Sequence, residues 1–163
     1  KIVFSEHGVE VEKLSQKMES LINDYLVLFY YPKQRFSSDI QSVHIKNIEN
    51  NNNKLLQMNE ISLNALDAIK NSDIITFSKL LDETWNLKKS LNNNISNNAI
   101  DSIYKKAIDN GALGGKISGA GGGGFLYFLC PPEHQIKMIN SITEVQYIDC
   151  KLSNKGSEII YER

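Results

Sequence analysis

The chain has few of the residues that mark disulfide-rich or metal-binding proteins. Its 163 residues include two cysteines, Cys130 and Cys150, which lie in no CxxC motif. Both come near the ends of predicted strands, so we interpret them as reduced thiols rather than as a disulfide or a zinc site. This pattern predicts a cytoplasmic protein.

The chain also lacks an excess of charge of one sign and has no long apolar run. The 18 Lys and Arg residues nearly balance the 19 Asp and Glu residues, which leaves a net charge of −1. This charge gives no electrostatic reason to expect binding to nucleic acid or to an anionic membrane. No apolar run approaches the roughly 20 residues of a spanning helix. With 41% hydrophobic residues, the chain is long enough for a single domain with its own core.

Glycine, in contrast, is concentrated in one stretch. Eight of the 10 glycines lie between Gly111 and Gly124. Glycine is useful where the backbone takes positive φ or closely approaches another group. Successive glycines also leave backbone N–H groups free to face an anion such as phosphate. The predicted anion-binding loop consists of Ser118, Gly119, Ala120, Gly121, Gly122 and Gly123.

Two familiar glycine motifs do not fit this stretch. Residues 119–124 match G-x-G-x-x-G, but the apolar run 125–129 that follows predicts a strand, whereas the dinucleotide-binding turn opens a helix. Lys116 is followed by Ile117 rather than by the Ser or Thr of a Walker A loop. We therefore predict a strand, a glycine loop and a second strand. The alternative is a flexible connection, although a two-residue Asn-Gly turn would serve that purpose as well.

The remaining patterns predict an α+β domain. Tyr25–Tyr31 is an apolar and aromatic run typical of a central strand, whereas residues 15–21 are too short a segment to assign. Apolar residues at helical spacing follow, and Ser96 is a suitable cap for the helix that ends at Asn110 and Gly111. Further predicted elements are a helix near residue 39, helices over 55–69, 77–91 and 132–142, and strands over 116–118, 125–129, 144–150 and 158–161. This order predicts a mainly antiparallel sheet packed against helices.

Arg35 follows the central strand and is a candidate substrate ligand. Ser37 or Ser38 can cap a helix that begins near Asp39. The guanidinium of Arg35 could then bind a phosphate or carboxylate through two hydrogen bonds. The alternative is an ordinary surface arginine beside a capped helix.

Trp85, Lys88 and Lys89 occupy neighbouring positions on one predicted helix. They form either a core tryptophan with two solvated lysines or a lysine over a substrate with its stem packed on the indole. Lys116 is open to two interpretations as well, a sugar or phosphate contact or a solvent-facing strand residue. The three histidines are scattered, and no Asp or Glu has the context of a catalytic base, so we predict no catalytic residue and no metal site.

The segment from Gly114 to Phe125 resembles the third conserved motif of the GHMP kinases, a superfamily of small-molecule kinases. Three other patterns resemble its sugar-1-kinase branch, which includes heptose 7-phosphate kinases. They are Arg35-x-Ser37-Ser38, Trp85-x-x-Lys88-Lys89 and Ser96-x-x-x-x-Asp101. The resemblance covers nearly the whole chain but only the C-terminal half of such an enzyme.

The resemblance implies a ferredoxin-like C-terminal domain that binds a sugar phosphate. ATP, Mg²⁺ and the catalytic aspartate would belong mainly to an N-terminal half, with residues 1–12 at the seam between the two. The expected reaction is phosphorylation of the anomeric hydroxyl of D-glycero-D-manno-heptose 7-phosphate. The substrate ligands expected here are Arg35, Ser37, Ser38, Lys88 and Lys116.

The sequence does not determine the oligomeric state, and a homodimer is one possibility. Two alternative functions stay open at this point. One alternative is a GHMP kinase for fucose, galactose or mevalonate. The other is a non-catalytic, anion-binding ferredoxin-like domain. If the glycine loop binds phosphate, we expect Gly121→Val to abolish activity of the full enzyme with little loss of stability.

Overall fold

A computed structural model describes residues 2–6, 8–11, 14–32, 48–153, 159 and 161. The helices within these ranges are α1 (Gln16–Tyr25), α2 (Ile48–Lys70), α3 (Ile74–Leu91), α4 (Asn98–Asp109) and α5 (Pro132–Ser141). The strands are β1 (Ile2–Ser5), β2 (Gly8–Val11), β3 (Leu26–Tyr31), β4 (Gly114–Ile117), β5 (Gly124–Leu129) and β6 (Gln146–Ile148). The predicted helix near Asp39 lies outside the described residues. Of the predicted strand over 158–161, only residues 159 and 161 are described, and neither is in a strand.

The main sheet has four strands in the order β4-β5-β3-β6, and every neighbouring pair is antiparallel. Strand β3 is an inner strand, with Leu28 opposite Tyr127 of β5 and Ile148 of β6. A separate antiparallel hairpin pairs β1 with β2. The predicted α+β class with a mainly antiparallel sheet is confirmed.

Alternate residues of the inner strands form one buried face of the sheet. Val27 and Phe29 of β3 and Phe128 of β5 are at most 1% exposed, and the rings of Phe29 and Phe128 meet edge to face. Helices α3, α4 and α5 supply the other side of this core, including Trp85, which is fully buried. This alternation is the period of two expected for a half-buried strand.

Helix α1 occupies the segment that the sequence left unassigned. Ser15 caps it, since its Oγ accepts a hydrogen bond from the Met18 amide at 3.1 Å, and Met18 is fully buried. Tyr25 ends this helix and does not begin the strand, so the predicted strand starts one residue later, at Leu26. A capping serine with an apolar residue three positions on was the available signal.

The predicted cap of α4 is wrong by one residue. Asn97 is the N-cap, and its Oδ1 accepts hydrogen bonds from the amides of Ala99 and Ile100. Ser96 instead donates its hydroxyl to the carboxylate of Asp101 at 2.9 Å. Both residue types are strong caps, and extended backbone at Asn97 decides between them.

Helix α3 lies directly against strand β4. A Cβ at Gly114 would lie 2.0 Å from the backbone oxygen of Ser78, so only glycine permits this approach. The hydroxyl of Tyr104 joins the two elements: it donates to Asp82 Oδ1 at 2.5 Å and accepts from the Gly115 amide at 3.2 Å. Burial raises the pKa of Tyr104, and the hydrogen bond to Asp82 raises that pKa further, so the hydroxyl stays protonated.

We expect Tyr104→Phe to lower the free energy of unfolding by about 1–2 kcal/mol, because it leaves the Asp82 carboxylate and the Gly115 amide without this partner. Urea unfolding of the variant measures the difference. Tyr127→Phe is a matched control, since Tyr127 is half-buried and burial raises its pKa to about 12. Its hydroxyl has no hydrogen-bond partner in the part of the chain that the structure describes. Equal loss in both variants would contradict the assigned role of Tyr104.

Both cysteines are free thiols. Cys130 is fully buried, and burial followed by the charge of Glu133 raises the pKa of its thiol to about 11. Of the two predicted core thiols, Cys130 lies in the core, whereas Cys150 is only partly buried. None of the helices described by the structure is long and apolar enough to cross a membrane.

Candidate functional site

The glycine loop, defined as residues 118–123, connects the edge strand β4 to β5. Its base is closed by a hydrogen bond from the Ser118 amide to the Phe125 carbonyl at 2.8 Å, and the Gly122 amide donates to the Ile95 carbonyl at 2.8 Å. Within the described ranges, the amides at positions 119, 120, 121 and 123 have no acceptor. The predicted strand–loop–strand arrangement is confirmed, and four N–H groups are available to a ligand.

Gly121 is held against the segment that precedes α4. Its φ is +108°, a conformation that L side chains rarely adopt, and a Cβ there would lie 2.7 Å from the carbonyl oxygen of Ile95. Ile95 is itself only 1% exposed and belongs to the main core. The end of the loop at Gly121 and Gly122 is therefore packed on the core of the domain.

Lys88 reaches the glycine loop from the C-terminal part of α3. Its Nζ donates to the Gly119 carbonyl oxygen at 2.6 Å, a contact between residues 31 positions apart. The side chain is half-buried. Burial lowers the pKa of Lys88, and the nearby charge of Lys116 lowers it further.

Lys116 lies on β4, two residues before the loop, opposite Tyr127 in the sheet register. It is half-buried, and burial lowers the pKa of its ammonium. Among the residues that the structure describes, it has no hydrogen-bond or ion-pair partner. Two partly desolvated cations that repel each other favour an anionic ligand between or beside them.

Lys89 points elsewhere than its neighbour Lys88. Its Nζ lies 5.8 Å from the centre of the Trp85 ring and 5.6 Å from that of Tyr104, and it pairs with Asp101 at 3.3 Å. The lysine beside the indole is thus Lys89, whose ammonium lies over the ring and is paired with Asp101. The sequence does not predict this ion pair, because Lys89 and Asp101 are 12 residues apart on different helices.

Arg35, Ser37 and Ser38 lie outside the described residues, so their predicted role as substrate ligands stays a prediction. The structure brings Lys88, Lys116 and the loop together. A cavity of about 630 Å³ between α2 and α3 is lined by Glu60, Asp82 and Glu83 among others, which makes it unsuitable for a phosphate. In the ranges given above, no three His, Cys, Asp or Glu side chains are grouped so that they could hold a metal ion.

The antiparallel sheet, its covering helices and the glycine loop define the chain as a C-terminal domain of small-molecule kinase type. The family model "GHMP kinases C terminal" matches residues 65–148, which is more than half of the chain. The chain therefore belongs to the GHMP kinase family as a C-terminal domain, as the glycine motif predicted.

Several known proteins are similar to this chain. The D-glycero-alpha-D-manno-heptose 7-phosphate kinase of Campylobacter jejuni is 34% identical over 74% of this chain and 36% of its own length. The L-fucokinase/L-fucose-1-P guanylyltransferase of Bacteroides fragilis is 29% identical over 66% of this chain and 12% of its own length. The crystal structure of Methanococcus jannaschii mevalonate kinase covers 89% of this chain and 45% of its own with a TM-score of 0.73 at 23% identity, which shows a shared fold.

The matching region thus spans less than half of the length of each of these relatives.

Proposed function

We propose that this chain is the substrate-binding C-terminal part of an ATP-dependent sugar kinase. The reaction would transfer the terminal phosphoryl group of ATP to the anomeric hydroxyl of D-glycero-D-manno-heptose 7-phosphate. The observation that carries the proposal is the glycine loop beside two half-buried lysines, Lys88 and Lys116. The similarity to a heptose 7-phosphate kinase supports this substrate over a neutral sugar.

The roles within the proposed site follow from charge and hydrogen-bonding capacity. Phosphoryl transfer depends mainly on positioning and on neutralising the charge of the phosphate. Free amides of the glycine loop and the ammonium of Lys116 suit an anionic group of this kind. Arg35, Ser37 and Ser38 would bind the sugar phosphate from the segment that follows β3.

ATP and Mg²⁺ would be held mainly by an N-terminal half, which contacts residues 1–12 in this proposal. When bound, Mg²⁺ neutralises charge on the phosphates of the nucleotide. The free amides of the loop fit the phosphate end of ATP, whereas the described carboxylates offer no cluster for the metal. We further propose a cytoplasmic enzyme in nucleotide-activated heptose synthesis for capsule or lipopolysaccharide, with a homodimer as one assembly to test.

The experiment compares the chain alone with the full-length protein. We expect the full-length protein to release ADP with ATP and heptose 7-phosphate and to form a 1,7-bisphosphate, which phosphorus NMR identifies. The chain alone should give no turnover, because the ATP-binding half is absent from the reaction. Fucose, galactose and mevalonate are the comparison substrates. Turnover by the chain alone, or a preference for one of these three, would refute the proposal.

A further inference from the structure

The Lys88 contact fixes one particular peptide of the glycine loop. The loop is held at its base by the Ser118 amide and near its end by the Gly122 amide. Between these two hydrogen bonds, the described structure gives one further hydrogen bond to the loop backbone, that of Lys88 Nζ to the Gly119 oxygen. Gly119 has a φ of +74°, and a Cβ there would meet nothing within 4 Å. Packing therefore does little to restrict Gly119 itself, whereas the side chain of Ala120 packs against the main core.

The geometry of the peptide bond links this contact to a free donor. A trans peptide is planar, so its C=O and N–H groups point in opposite directions. The Gly119 carbonyl and the Ala120 N–H belong to the same peptide. Because Lys88 holds the carbonyl, the Ala120 N–H points away from α3. A glycine can adopt both signs of φ at little cost, so without Lys88 this peptide could rotate and turn the N–H away.

We propose that Lys88 is a positioning residue: it orients the Gly119–Ala120 peptide so that the Ala120 N–H faces the phosphate, and it does not itself bind the substrate. This proposal rests on the proposed kinase function. It gives Lys88 a different role from the substrate ligand predicted by sequence, and it leaves Lys116 as the described lysine that is free to contact an anion. The ammonium of Lys88 is already used at 2.6 Å, and moving it to a ligand would release the loop.

The test uses the full-length protein with Lys88→Met, which keeps the length and apolar packing of the side chain. We expect kcat with heptose 7-phosphate to fall about tenfold or more, while KM changes less than about threefold, because misplaced catalytic groups mainly reduce turnover. Lys88→Arg, which keeps a donor, should recover most of kcat. The control is Lys137→Met on the exposed surface of α5, which should change neither constant. A tenfold rise in KM with kcat unchanged would overturn the proposal.

A second variant removes the N–H group of the Gly119–Ala120 peptide. Ala120→Pro deletes the N–H but leaves Lys88 intact, so its kcat should fall by a factor similar to that of Lys88→Met. If both residues act through one peptide, the double variant should lose no more than either single variant. If the double variant lost kcat by the product of the two single losses, or if Ala120→Pro kept full activity, the link between Lys88 and the Ala120 N–H would be refuted.

A measurement without substrate separates this proposal from the proposed function. In Lys88→Met, the hydrogen-bonded Gly122 amide should exchange its hydrogen for deuterium about tenfold faster, because the loop opens more often. The Phe128 amide in the core of the sheet should keep its rate. Unchanged exchange at Gly122 would overturn the positioning role. If the wild-type protein proves inactive on every sugar tested, the proposed function fails while the exchange result still decides the role of Lys88.

Discussion

Gly121→Val is expected to abolish the proposed kinase activity of the full-length protein and to lower its stability as well. Valine would have to adopt a φ of +108°, and its Cβ would lie 2.7 Å from the Ile95 carbonyl oxygen. A left-handed conformation costs about 1–2 kcal/mol for an L residue, and overpacking adds about 1–3 kcal/mol. The loop would move off Ile95, and the hydrogen bond from Gly122 would be lost with it. The sequence-based expectation of little loss of stability is therefore wrong.

Gly119→Ala is the matched control for this substitution. A Cβ at Gly119 would meet nothing within 4 Å, and only its φ of +74° opposes alanine. We expect a loss of about 1–2 kcal/mol for Gly119→Ala, against about 2–5 kcal/mol for Gly121→Val. Urea unfolding gives both values, and ADP release gives the activity. Equal stabilities would show that the contact with Ile95 does not restrict position 121.

The glycine loop was predictable because its signal is local. A cluster of glycines followed by the apolar run 125–129 identifies a strand–loop–strand unit without any knowledge of the fold. The continuous apolar and aromatic run over 26–31 likewise indicates a central strand. These patterns depend on the φ preferences of glycine and on the apolar and aromatic residues favoured in strands, which the sequence displays directly.

The partners of the loop were not predictable in the same way. Ile95, which accepts from Gly122, and Lys88, which donates to Gly119, are far from the loop in sequence. Their contacts depend on how α3 packs against β4, where Gly114 lies against the backbone of Ser78. The sequence alone could not show that Lys88, and not Lys89, lies at the loop, because the two residues are adjacent and chemically identical. That distinction depends on how α3 is rotated about its axis in the folded domain.

Lys116→Met is expected to weaken substrate binding strongly and yet to stabilise the fold. Hydrogen bonds to charged groups contribute about 1.5–3 kcal/mol, so removing one between Lys116 and a phosphate should raise KM for the sugar phosphate about 10- to 100-fold. In the free protein the same ammonium is half-buried, and burial lowers its pKa below the ordinary value of 10.5. Methionine removes this desolvated charge and its repulsion with Lys88, so the free energy of unfolding should rise.

The pH dependence of stability tests the same description of Lys116. Between its lowered folded-state pKa and 10.5, the unfolded chain binds more protons than the folded chain, so the stability of the wild type should rise with pH in this window. The slope should be smaller in Lys116→Met, because one of the two lowered lysines is gone and Lys88 no longer feels its charge. Lys137→Met is the control and should keep the wild-type slope. A Lys116→Met protein that is less stable than the wild type near neutral pH would contradict this description. It would mean that the Lys116 side chain stabilises the packing of the sheet and is not an unpaired, destabilising cation held for an anionic ligand.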